Sequence, residues 1–204
     1  MGTLLTTSIL SRAATLLNDA ENVHWPVTEL IEWLNDGQRE IVLYRPSACV
    51  RHLDKKLEKG TRQALPEDGN SLVDIPRNTD GYVIRQVERR ELDAFQPDWH
   101  LPIKAKSKVE HFCWSPNDPK TFYVYPPSPG GNSVELVYNA NPSQVGVGSA
   151  IAVDDIFASA LVDYILFRAL AKDTDYAPNA ASADTHYRAF LAAVRPEGKA
   201  PPSA

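Results

Sequence analysis

The sequence predicts an α+β protein: an antiparallel helical bundle of about four helices that carries an inserted small antiparallel β-domain. Two patterns and their order along the chain predict it. Before Pro46 and after about residue 150 the apolar residues recur at helical spacing. Between them lie short period-2 segments, separated by turn-forming residues, and most of the 16 prolines fall there, from Pro66 to Pro142. The expected junctions give a helical domain from residues 1–58 and 150–195, a β-domain from 59–149, and a flexible C-terminal tail at 196–204.

The first helix is expected over 6–19, with Ile9, Ala13, Leu16 and Leu17 in phase and Thr6 or Thr7 as cap. The stretch WPVTELIEWLNDGQREIVLYRP, Trp25–Pro46, organises the rest. Pro46 stops it, because the residue before a proline avoids the helical region; Thr28 is a candidate N-cap. Leu30, Leu34, Gly37, Ile41 and Tyr44 make an apolar row, and Glu29, Glu32, Asp36 and Glu40 are assigned to the opposite, solvated face. Gly37 within the apolar row costs roughly 1 kcal/mol relative to alanine, so it implies a second helix packed close to this backbone.

Residues 51–62 read as a charged, solvated run. Pro66–Asn70 is a turn in which glycine or asparagine is expected at positive φ. Strands are expected at 71–75, 82–87, 121–125 and 133–138, with a PPSPGGN loop before the last. The segment 144–149 is the return linker. The third helix, 154–172, starts at Asp154 or Asp155, where a carboxylate suits the positive helix end. It is apolar almost all round, so it must be covered on all sides, at a bundle centre or a subunit interface. Asp163 and Arg168 are its polar interior residues, and Arg168 calls for a carboxylate from the opening helix or a neighbouring subunit. A connection at 173–179 leads to a last helix, about 180–194.

Composition excludes several classes. A charged fraction of 23% and a net charge of −5 are ordinary for a water-soluble chain and unlike a general nucleic-acid binder. Two cysteines, Cys49 and Cys113, form no disulfide framework and are expected as thiols. The N-terminus has no charged segment ahead of an apolar run, so no signal peptide is read. None of the five histidines makes a metal-binding spacing, and there is no GxSxG, Walker or GxGxxG motif. No catalytic residue, metal ligand or cofactor is therefore expected. Lys104, Lys106 and Lys108 alternate, and in an extended segment would form a polar edge that discourages strand pairing.

The segments RAATLLND, WPVTELIEWLNDGQREIVLYRP, LPEDGNSLVDIPRN, DPKTFYVYPP with LVYNANP, and ALVDYILFRALAKDTDYAPNA occur in this order. Together, from about residue 8 to 193, the chain resembles the tailed-bacteriophage head-to-tail adaptor (head–tail connector) family, which is similar to tail tubular protein A of short-tailed phages. The resemblance implies a structural virion protein without catalysis or cofactor, assembled in the host cytoplasm and placed at the head–tail junction. It implies a homo-oligomeric ring, commonly of twelve copies, under the portal protein, with double-stranded DNA passing through and a tail or neck component docked below. No membrane is involved. On that frame Glu29, Glu32, Asp36 and Glu40 are expected on the channel or inter-subunit face, since an acidic wall repels DNA phosphate. Tyr187, Arg188, Arg195 and Lys199 are the expected portal contacts. The alternatives are another ring-forming neck or tail-completion protein and, from a different class, a β-sandwich that binds a ligand through Trp99, Trp114, Tyr123 and Tyr125. Burial of those aromatics disfavours the second alternative.

Overall fold

The computed structural model describes residues 2–173 and 178–195. Among the described residues it contains five α-helices and two β-sheets. The chain divides into two compact units: residues 1–49 with 142–204, and residues 50–141, which lie between those two segments in sequence. The first junction falls between residues 49 and 50; the charged run is largely exposed, as expected, but it forms two strands, β1 (Val50–Lys56) and β2 (Gly60–Ala64). β1 pairs antiparallel with β7 (Ser133–Ala140) along its whole length, from Val50 opposite Asn139 to Lys56 opposite Ser133. Its charges line an edge strand, which is why no alternation marks it.

In the helical unit, α1 (Thr6–Leu16) and α2 (Val27–Tyr44) are joined by a loop organised by Asp19. Its carboxylate accepts the backbone N–H groups of Val23, His24 and Trp25 at 2.8, 3.0 and 2.7 Å. These bonds, led by the one from Trp25, hold its pKa below the usual carboxylate range. Asp19 thus positions the entry to α2; Pro26 is the residue preceding the helix, and neither Thr28 nor Thr6 caps a helix. After the chain re-enters the unit at Pro142, the Asp154 side chain accepts from Ile156 N at the turn before α4 (Ala158–Lys172), and α5 (Pro178–Val194) follows. Part of the expected 173–179 connection, residues 174–177, lies outside the described residues, as does the expected tail, 196–204.

The apolar α4 buries Ala160, Leu161, Val162, Tyr164, Ile165, Leu166 and Ala169 against α1, α2 and α5. It is covered within its own unit, so its composition does not by itself require a neighbouring subunit. Gly37 supplies the close approach expected of it. A Cβ at that position would lie 3.0 Å from Tyr164 Cδ1 and 3.1 Å from Leu161 Cδ2.

The segment returning from the β unit is held to the helices by three buried polar side chains. Asn35 clamps Val145, accepting its N–H at 2.9 Å and donating to its C=O at 3.0 Å. Gln38 accepts the Ala152 N–H at 2.6 Å. Thr6 Oγ1 donates to Gly146 O at 3.1 Å and accepts from Gly148 N at 2.9 Å. Leu5 forms an antiparallel bridge with Ala150. Buried backbone groups must be paired, and here side chains pair them where no ladder exists. This network places residues 145–152 in the helical unit.

In the β unit, one sheet has the order β1-β7-β3, with β3 at Gly69–Asn78. The other has the order β2-β6-β5-β4, with β4 at Arg85–Gln86, β5 at His111–Ser115 and β6 at Asp118–Ser128. β4 runs parallel to β5, so the unit is not wholly antiparallel. The expected strand at 82–87 shrinks to those two residues and an isolated bridge at Val83. Phe122 and Val124 of β6 are fully buried, while Tyr123 and Tyr125 on its other face are half-buried under α3 (Arg89–Phe95) and Trp99. Asn78 repeats the clamp seen at Asn35, bonding Val109 through its N–H at 2.9 Å and its C=O at 2.8 Å. The β6–β7 loop turns on Gly130 and Gly131, at φ +94° and +93°, where a side chain would be strained. Gly69 differs from expectation. Its φ is not positive; it must be small because a Cβ would meet Leu65 Cβ at 2.8 Å.

Candidate functional site

The feature singled out by sequence is the acidic stripe of α2. At 100° per residue, Glu29, Asp36 and Glu40 lie only roughly 100° from the Leu30–Ile41 row. The buried arc is also wider than that row, taking in Ile31, Trp33, Asn35, Gln38 and Val42. Glu29, Asp36 and Glu40 therefore flank the buried face, while Glu32 lies on the opposite, exposed one. Each of the three carboxylates meets a partner on α4 or α5. Glu29 pairs with Lys172, whose ammonium also lies 5.6 Å from the Trp25 ring centroid. Asp36 Oδ2 is 3.4 Å from Arg168 Nη1, and Asp36 Oδ1 is 3.3 Å from Arg39. Glu40 accepts the Tyr187 hydroxyl at 2.8 Å. Glu32 is the exposed member, at 3.5 Å from Gln144 Nε2.

The seam continues between α4 and α5, where Asp163 Oδ1 lies 2.9 Å from His186 Nδ1. Arg168 also reaches the Tyr164 hydroxyl at 3.4 Å. Beneath these contacts Tyr164, Phe167, Tyr187 and Phe190 form an aromatic cluster with centroid separations from 4.6 to 6.1 Å. Burial, together with the Glu40 carboxylate, pushes the Tyr187 hydroxyl well above its ordinary pKa, so it donates to Glu40 as a neutral phenol. The ion pairs are half-exposed, where such pairs contribute at most about 1 kcal/mol each; they set helix register more than stability.

Of the expected portal contacts, Tyr187 is engaged inside the unit. Arg188 is exposed and pairs with Asp184 at 2.8 Å, and the Arg195 guanidinium lies 5.7 Å from the Tyr44 centroid. Lys199 lies outside the described residues.

The three alternating lysines do not sit in a strand. Each has a carboxylate: Lys104 with Asp98 at 2.9 Å, Lys106 with Glu110 at 3.2 Å, and Lys108 with Asp80 at 3.7 Å. A nucleic-acid strip needs an excess of positive charge, and each of these lysines has a carboxylate beside it. Of the aromatics proposed for a ligand site, Trp114, Tyr123 and Tyr125 are half-buried and Trp99 is buried. Trp99 is 1% exposed and its Nε1 donates to Asp93 at 3.0 Å. An open cleft of about 290 Å³ on the β unit is lined by Tyr82, Val83, Arg85, Lys108, Val109, Glu110 and His111, and by none of Trp99, Trp114, Tyr123 or Tyr125. Among the described residues no cluster of His, Cys, Asp and Glu is arranged to hold a metal, and no helix is long and apolar enough to cross a membrane.

The family model described as SU10 adaptor protein matches residues 6–201. The chain belongs to the SU10 adaptor protein family. The match spans both units, and it agrees with the resemblance to phage head-to-tail adaptors carried by the sequence motifs. The adaptor is thus a structural phage protein of the virion. No curated protein matches the chain. Sequence reasoning missed Asn35 and Gln38, and took Thr6 as a helix cap where it instead bonds Gly146 and Gly148. The available signal was an Asn and a Gln three positions apart on the buried side of α2, where a polar residue must have a partner.

Proposed function

We propose that the adaptor assembles as a homo-oligomeric ring of twelve copies beneath the portal protein, extends the DNA channel of the head, and offers a docking surface to the tail or neck component below. Double-stranded DNA passes through without sequence-specific contact. The observation that carries this reading is the family match over nearly the whole chain. Within this reading the architecture is a helical bundle scaffold with an inserted β-domain, and the two units serve different neighbours.

The charge distribution supports a channel role for the helical unit. Its sequence segments carry 8 Lys and Arg against 13 Asp and Glu, whereas the β unit carries 13 of each. The whole net charge of −5 therefore sits on the helical unit. Glu29, Glu32, Asp36 and Glu40 face the lumen or the adjacent subunit, and of these Glu32 is the side chain left outward, while the other three brace the helices. An acidic wall lets phosphate slide past without sticking. Arg188, Arg195 and the tail beyond Val194 contact the portal, as do Tyr187 through the helix it holds and Lys199.

The test is to mix purified adaptor with portal assemblies and to examine them by electron microscopy and native mass measurement. A dodecameric layer on the portal is the expected result. Portals that remain bare at saturating adaptor would overturn the reading.

A further inference from the structure

A pocket of about 430 Å³ opens on the helical unit. Its size lies within the range of about 300–1,000 Å³ usual for sites that take small ligands. Its apolar walls are Leu16 and Leu17 at the end of α1, Leu166 and Leu170 on α4, and Trp25 at the entry to α2. Leu16 is 60% exposed, so the pocket has an apolar lip standing in water.

The polar groups between these walls supply acceptors. Asp19 and Asp173 both line the pocket. Among the described residues neither has a Lys, Arg or His nitrogen within 4 Å. Asp19 spends three bonds on the N–H groups of Val23, His24 and Trp25, and a carboxylate has about four lone-pair sites. Asp173 accepts from the Asn179 amide at 3.1 Å, and that donation leaves Asn179 Oδ1 as an acceptor. With Nδ1–H given to Asp163, His186 likewise keeps Nε2 as an acceptor. The neighbouring charges do not compensate the two carboxylates. Lys172 is bonded to Glu29, and Arg12, one turn before Leu16, is matched by Glu21 in the loop that follows.

We propose that this pocket binds an alkylammonium or alkylguanidinium group, the chemistry shared by a free aliphatic diamine and by a lysine or arginine side chain of another chain. The aliphatic stem lies along the leucine walls, where it leaves water. The cationic head donates charge-assisted hydrogen bonds to Asp173 and to the remaining site of Asp19. Trp25 suits the same head, since the Lys172 ammonium already lies 5.6 Å from its ring centroid. A neutral ligand would leave the two carboxylates unanswered, and an anion would be repelled by them. The site does not depend on the ring reading.

The test titrates 1,4-diaminobutane and butylguanidinium into the full chain and follows the Trp25 indole N–H and the Leu16 and Leu170 methyl groups by NMR. Saturable shifts at these groups are expected, with none from 1-butanol or magnesium ion. Asp173→Asn keeps the volume and an acceptor for Asn179, and should weaken the diamine by about tenfold or more. Leu16→Ser, at the exposed lip, should weaken it several-fold with an unchanged thermal transition, which keeps the site testable where Asp173→Asn fails to fold. Equal binding of butanol and diamine, shifts that spread away from these residues, or an affinity that neither variant changes overturns the site. N-acetylarginine methylamide in competition separates the two sources. Displacement of the diamine assigns the pocket to a basic side chain of a neighbouring chain, and diamine binding without displacement assigns it to the free amine.

Discussion

Replacing Gln38 with leucine isolates one buried hydrogen bond in the helical unit. Gln38 is 0% exposed and Ala152, whose N–H it accepts at 2.6 Å, is 2% exposed. Leucine nearly conserves the volume, so the cavity cost is small. What remains is a buried N–H with no acceptor, worth about 1–3 kcal/mol. Asn35 keeps its own two bonds to Val145 and loses only the weak 3.3 Å donor from Gln38. A loss of about 2 kcal/mol is therefore expected, and at about 2–4 °C per kcal/mol for a chain of this size the melting temperature should fall by roughly 4–8 °C. Far-UV circular dichroism in urea reads the helical unit, and amide exchange at Ala152 reads the bond itself. If Ala152 stays protected and the midpoint does not move, side-chain pairing of the return segment is not what holds it, and the account given for Asn35 and Thr6 fails with it.

Gly37→Ala places a methyl against the buried Tyr164 and Leu161; the gain in helix propensity of about 1 kcal/mol is offset by overpacking of about 1–3 kcal/mol, so urea titration should show a net loss, and Gly37→Val a larger one. Arg168→Met should change stability by less than about 1 kcal/mol, because its pair with Asp36 is half-exposed; a loss of several kcal/mol in the same titration would mean that the seam is a buried ion pair after all. Asp155 is held below its ordinary value of 3.8 chiefly by the Thr3 hydroxyl and the Leu4 N–H. A depressed carboxylate stabilises above its unfolded pKa and loses that contribution as pH falls through the folded one. Exchange at the Thr3 and Leu4 amides, normalised for its intrinsic pH dependence, should accelerate only below about pH 4, and Asp155→Asn should remove that step. Cys113 should resist thiol reagents in the native protein and react on unfolding, which a colorimetric thiol assay checks.

The helices were legible because their burial is periodic. α2, α4 and α5 carry apolar residues at helical spacing and lie close to where they were expected. β1 was not legible, because VRHLDKK is an edge strand with both faces largely exposed, so nothing alternates. Of the acidic stripe, Glu32 is exposed as expected, while Glu29, Asp36 and Glu40 sit at the edge of the buried face. These three flank the apolar row, and a wheel cannot show that α4 and α5 supply Lys172, Arg168 and Tyr187 to meet them. Arg168 was legible as a residue that would meet a carboxylate of α2, and it does so at Asp36, although the pair is half-exposed. The Asn35, Gln38 and Thr6 clamps were missed because their partners are backbone groups more than a hundred residues away in sequence. No local pattern encodes such partners.

The two stems of the β unit are secured to the same helix. The outgoing chain leaves directly from the end of α2, and the returning chain is caught by Asn35 and Gln38 on that helix's flank. The helical unit therefore completes its own interior whatever is strung between Cys49 and Pro142. With the return segment's backbone bonds made inside the helical unit, a change of loop length within the β unit leaves those bonds untouched.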